Sequence, residues 1–239
     1  MKRKLLLVIL LAAGLHAGAQ ELLWDLKLDW RFDNREYKSE INWPQTLFGA
    51  RLTPQIGIGW DGCHSIMVGT DLMADFGATA FTTEPDWIAY YGYKSPRLKA
   101  YAGVFPRDKM MGYYNSAFFS DSVKYYDSNL EGLLLQYHSL NKRWLAEVGC
   151  DWNSMLGEEQ REKFMIFYNG EYRARWFDAG MSCDMYHHAG TLEEDGVIDN
   201  ILQNFYATLK VRELLPRWKM QECYLRLGWF QGEQNYREE

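Results

Sequence analysis

The sequence predicts an all-β chain, an antiparallel up-and-down transmembrane β-barrel, and three observations predict it. Past residue 20, short segments alternate apolar and polar residues with period two, as a strand needs when one face meets an apolar medium and the other a polar one. The links between segments alternate short and long, the rhythm of barrels with tight periplasmic turns and longer extracellular loops. Mean hydropathy is −0.40 and no long apolar run follows the N-terminus, which excludes a helical membrane protein but not a barrel.

The N-terminus reads as a cleaved export signal, residues 1–19. Met1-Lys2-Arg3-Lys4 is basic, residues 5–15 are apolar, and Ala17-Gly18-Ala19 precedes Gln20 in a small-x-small pattern. Residues 20–239 are then one outer-membrane barrel domain. The first predicted strand, 21–32, sets Leu22, Trp24, Leu26, Leu28, Trp30 and Phe32 on one face. The second, 46–60, is marred by Pro54, and Asp61-Gly62 gives a tight turn into the third, 64–76. Strands 86–94 and 98–105 flank a short turn, and the longest link, 106–129, follows. Strands 130–138 and 144–152 flank the next short turn. Strand 162–168 then meets Asn169-Gly170, a second tight-turn signal, before strand 171–186 with a bulge expected at Trp176-Phe177. A long link at 187–203, a strand at 204–212, a short turn at 213–217 and a strand at 218–230 complete the pattern. That makes about eleven strands, with twelve or more expected in a complete barrel. The polar tail 231–239 lies off the strands in this reading, which leaves one or more closing strands missing and the barrel open through truncation.

Composition narrows the function classes. The formal charge of −6 and the lack of Lys/Arg clusters exclude a nucleic-acid partner. Aromatics at 16 % suit interfacial girdles. The cysteines at 63, 150, 183 and 223 are isolated, and the last three fall on the apolar phase, so packing against lipid or a neighbouring strand is favoured over a disulfide framework.

Four stretches carry a family resemblance: Gly103-Val104-Phe105-Pro106-Arg107, Asn129-Leu130-Glu131-Gly132, Asp151-Trp152 and Arg161-Glu162-Lys163-Phe164. Over residues 98–190 the chain resembles uncharacterised porin-like outer-membrane β-barrel proteins of Bacteroidota. The resemblance implies location and fold and carries over no catalytic residue.

The predicted function is accordingly porin-like, passive passage or binding of small polar solutes, without enzymatic activity and without cofactor or metal. Outer-membrane lipid is the expected partner, with small polar solutes. Candidate lumen-lining residues are Asp29, Arg31, Arg51, Asp71, Asp75, Glu147, Asp151, Lys210, Glu222 and Arg226. Acidic and basic residues balance on the inner phase as a whole, so no sharp ion preference is expected. Residues 106–129 form the candidate constriction or binding loop, with Arg107, Asp108, Lys109, Tyr113 and Tyr114; ordinary packing of that loop is the competing reading. His187-His188 does not make a metal site, because adjacent strand residues point to opposite faces. Two other classes compete. A soluble exported β-sandwich that binds glycans needs its apolar faces to form one core. A barrel-embedded acyl hydrolase has His138, Ser139 and Ser182 available, but no Ser-His-acid set shows a recognisable spacing.

Overall fold

A computed structural model describes residues 20–38, 44–82, 84–155, 161–189, 196–215 and 217–237. The predicted export signal lies outside them. Eleven antiparallel strands form one sheet in sequence order, β1-β2-β3-β4-β5-β6-β7-β8-β9-β10-β11. They are β1 Gln20–Arg35, β2 Gln45–Trp60, β3 His64–Asp75, β4 Asp86–Lys94, β5 Leu98–Pro106, β6 Asn129–His138, β7 Trp144–Ser154, β8 Lys163–Arg173, β9 Phe177–Ala189, β10 Val197–Leu209 and β11 Leu225–Arg237. Two short helices, α1 (Asp121–Tyr126) and α2 (Val211–Leu214), lie in links. A single up-and-down sheet overturns the sandwich alternative, which needs two sheets packed face to face.

Burial is inverted relative to a soluble domain. Trp24 is 75 % exposed and Leu227 69 %, whereas Glu147 is 3 % and Asn169 2 % exposed. Apolar side chains on the outside and polar ones within are what a barrel wall in lipid requires.

Contacts divide the chain into two units, Met1–Gly92 and Tyr93–Glu239. In the first, β1 and β2 pair over their whole lengths, with Trp24↔Ile56, Leu28↔Leu52 and Phe32↔Phe48 on the apolar face. Their polar face pairs Asp25↔Gln55 and Asp29↔Arg51. At one end of the apolar face Phe32, Phe48 and Phe76 meet edge to face, and at the other Trp60 stacks on His64. Asp61 and Gly62 have φ of 51° and 65°, the left-handed pair of a type I′ turn, as the sequence predicted. Pro54 interrupts the β2–β3 ladder, which resumes in the same register at Gln55↔Gly69.

In the second unit the antiparallel ladders run from β5 to β11. Their lumen-side rows bury Gln136, Glu147, Asp151, Asn169, Glu171, Ser182, Asp184 and Asn204. Aromatics mark both ends of the outer face. Trp144 packs on Tyr172 at 4.6 Å at the short-turn end, and Trp152 stacks on Phe164 at 4.9 Å at the long-loop end. Eight residues of β7 separate the two tryptophans, about 27 Å at ~3.4 Å per residue. Tilted by about 35–45° as barrel strands are, that separation covers about 20 Å of height, most of an apolar band about 25 Å tall.

Several expected boundaries are corrected. Asn169-Gly170 is no turn: Gly170 is an ordinary ladder residue opposite Ala146 and Met181. The hairpin closes instead at 174–176, where the Ala174 N–H donates to the Phe177 carbonyl. The phase slip expected as a bulge at Trp176-Phe177 is that turn, and the β7–β8 register instead shifts on β7 between Trp152 and Ser154. β10 begins at Val197 rather than 204, and β11 runs from Leu225 to Arg237 rather than over 218–230. Ahead of β11, backbone groups bond within the link: Trp218 N–H donates to Leu215 and Arg212 N–H to Cys223. Cys223 therefore sits in that link, not on a lipid-facing phase. The polar stretch read as a tail is strand as far as Arg237.

Candidate functional site

The loop after β5 folds onto the lumen side of its own unit. A 3-10 turn at Arg107–Lys109 starts it, and α1 is capped by Ser120, whose hydroxyl accepts from Val123 N–H at 3.2 Å. Arg107 is the anchor. Its guanidinium donates to Asp151 at 2.6 Å, to Asp127 at 2.8 Å and to the Asn129 carbonyl at 2.7 Å, and it lies 5.5 Å from the Phe119 ring. The Glu147 carboxylate is the second anchor. It accepts from Met111 N–H at 2.6 Å, Gly112 N–H at 3.0 Å, the Tyr114 hydroxyl at 2.8 Å and Gln136 Nε2 at 2.5 Å. Burial, with Glu147 beside it, pushes the Tyr114 phenol well above its usual range.

The candidates from sequence therefore separate. Glu147, Asp151, Arg107, Tyr113, Tyr114 and Arg226 come together, with the Arg226 guanidinium 4.1 Å over the Tyr113 ring. Lys109 contributes its carbonyl, which accepts from Gln136 at 2.7 Å, and Asp108 is exposed. Lys210 lies just past β10, paired with Asp178 at 2.6 Å. Glu222 is exposed in the link before β11 rather than on a strand, and it lines a pocket with Asp178, Lys210 and Arg226. In the first unit Arg51 pairs with Asp71 at 3.0 Å and Arg31 with Asp33 at 3.4 Å. Asp29 is exposed opposite Arg51, and the Asp75 N–H donates to Thr82. The loop residues are engaged with the wall, the competing packing arrangement rather than a free constriction.

Packing at Gly112 is tight. A Cβ there would stand 2.6 Å from Asn169 Cβ and 2.8 Å from the Tyr114 ring. Gly112→Ala is expected to destabilise the protein by about 1–3 kcal/mol, read in detergent by chemical unfolding. Unchanged stability would mean that the loop does not dock as described.

The outer face carries a different group. Trp152, Phe164, His187 and Asp199 are successive cross-strand partners on β7, β8, β9 and β10. Residues directly opposed in a ladder share a face, and this one also carries Ile166, Tyr168 and Leu225. Phe164 stacks on the His187 ring at 4.6 Å and 19°, continuing the Trp152–Phe164 stack. His187 Nδ1 lies 2.7 Å from Asp199 Oδ1. An ionised carboxylate only accepts, so Nδ1 carries the proton and Nε2 is left with its lone pair. Glu162 Oε1 is 3.8 Å from Nε2. Arg237 donates to Asp199 Oδ2 at 2.5 Å, and its side chain is 56 % exposed. One turn further along the same face, Gln231 donates to Gln203 at 3.0 Å and accepts from Trp229 at 3.2 Å. Polar groups on a lipid-facing surface are costly, which makes them candidates for function.

A family model of Lipid A 3'-O-deacylase-type proteins matches residues 17–236. The chain belongs to that family. Membership in a Lipid A 3'-O-deacylase-type family agrees with the outer-membrane resemblance and overturns the expectation of a non-enzymatic protein, because the family is one of deacylases. Among solved structures the chain is similar to the in-vitro folded trimer form of OmpT, an outer membrane protein of Vibrio cholerae. Identity is 10 %, over 91 % of this chain and 79 % of that one, with a TM-score of 0.41. A loop L8 deletion mutant of that OmpT matches at 11 % identity, over 91 % and 83 %, with a TM-score of 0.42. No curated protein matches.

The sequence sets His187 aside as a metal ligand and offers His138, Ser139 and Ser182 for a hydrolase, so it anticipates neither the role of His187 nor its partners. Asp199 fell inside an expected loop because Asp199 and Gln203 break the apolar phase of β10. The signal was present in Val197, Ile201, Phe205, Ala207 and Leu209, which keep period two around them.

Proposed function

We propose that this protein is an outer-membrane lipid-ester hydrolase that removes the 3'-O-acyl chain of lipid A. The single observation that carries the reading is the His187–Asp199 pair on the lipid-facing surface near the long-loop end. A lipid's ester groups lie at that interfacial level, between the polar head and the acyl chains. The family membership supports the choice of ester.

In this reading Asp199 holds the imidazole and stabilises its cation, and His187 Nε2 takes a proton from water. The water oxygen attacks the ester carbonyl carbon, and the Arg237 guanidinium steadies the developing oxyanion. Collapse breaks the bond to the sugar oxygen, which leaves with the proton from Nε2. The products are a free fatty acid and the sugar alcohol. Among the described residues no hydroxyl or thiol is bonded to Nε2, which favours water as the nucleophile. Outer-membrane lipid is both partner and substrate, and residues 1–19 serve as the cleaved export signal.

Passive passage of small polar solutes is the rival at the same fold. The loop anchored on Glu147 and Asp151 weighs against it, because that loop occupies the polar face a solute would follow. The test is expression in a Gram-negative host, followed by mass spectrometry of its lipid A. The expected spectrum gains a species lighter by one O-linked acyl chain. An unchanged spectrum, with the barrel folded in the outer membrane, rejects the reading.

A further inference from the structure

A second site lies on the opposite side of the same strands. Two adjacent lumen-side rows form its floor: Met165, Tyr186, Asn200 and Gln234 in one, Asp184, Leu202 and Gly232 in the next. Ala117 and Phe118 from the loop stand against it, and the open cavity measures about 450 Å³. That is within the range of small-molecule sites. Gly232 leaves the room: a side chain there would start 3.0 Å from Leu202 Cδ2.

Asp184 gives the cavity its chemistry. It is 3 % exposed and lines the space. Backbone N–H groups of Leu202 and of Asp184 itself reach its carboxylate, and among the described residues Oδ1 has no hydrogen-bond partner. A buried carboxylate with an unserved oxygen carries a desolvation cost that a cationic donor relieves. Phe118, Met165 and Leu202 supply apolar surface around it, and the Phe118 ring can face a cation.

We propose that this cavity binds a small organic amine, its ammonium paired with the Asp184 carboxylate and its apolar body resting on Phe118, Met165 and Leu202. The site is independent of the His187–Asp199 pair.

Benzylamine is a suitable probe, with benzyl alcohol as its neutral counterpart, titrated calorimetrically into the full-length protein in matched detergent. The expected result is saturable benzylamine binding at one site, with benzyl alcohol at least roughly tenfold weaker. Asp184→Asn keeps the shape and removes the charge, and is expected to weaken benzylamine by a similar factor. Gly232→Val keeps Asp184 and fills the space, so it guards against a folding defect in the first variant; it too is expected to bind roughly tenfold more weakly. Equal binding of the alcohol, undiminished binding by both variants, or no saturable uptake of benzylamine overturns the proposal. His187→Gln is expected to leave this binding unchanged, which separates failure of this site from failure of the hydrolase reading.

Discussion

His187→Gln is expected to lower acyl release from lipid A by about 10²- to 10⁴-fold, the usual contribution of a positioned general base. Glutamine preserves much of the side chain's volume and its contact with Phe164 but cannot cycle a proton. Asp199→Asn is expected to fall in the same range for a different reason. An amide at 2.7 Å from Nδ1 offers an N–H as readily as an oxygen, so the imidazole loses its fixed tautomer. Both variants keep the β8–β9–β10 ladders, whose bonds are backbone bonds, and should retain heat-modifiable gel mobility. Full activity in His187→Gln would remove His187 from the chemistry.

Glu147→Ala is expected to produce the largest structural effect. Four donors converge on this carboxylate, two of them backbone N–H groups of the loop. Each buried donor left without an acceptor costs about 1–3 kcal/mol, and water entering the gap recovers part of that. A loss of several kcal/mol in unfolding free energy is expected, with new protease cleavage between residues 106 and 129. Tyr114→Phe removes one of the four donors and leaves the acceptor otherwise served, so about 1 kcal/mol is expected. A protected loop in Glu147→Ala would show that Arg107 alone holds it.

The strands were legible because period two is dictated by the pleat and by two different media on its faces. It failed where a residue's role set its polarity instead. Asp199 and Gln203 stand on the lipid-facing phase of β10, and Gln231, Glu233 and Asn235 stand on that of β11. Each broke the alternation, so the β10 start was placed too late and the end of β11 was taken for a tail. Asn169-Gly170 misled in another way: a turn dipeptide is a local preference, and the β7–β8–β9 ladders override it. The lumen-side carboxylates Glu147 and Asp151 were found from phase alone. Arg107, the partner of Asp151, stands out because it opens the long loop. Asp199 and Arg237 could not be paired with His187 without the register, since strand order decides which distant residues stand opposite one another.

The most direct test of the central claim is the yield of free fatty acid per protein molecule when the purified, folded barrel is incubated with lipid A in proteoliposomes. Many turnovers per molecule, with the acyl chain lost from the 3' oxygen, is the result predicted here. A folded, membrane-inserted protein that releases no fatty acid from lipid A would contradict it.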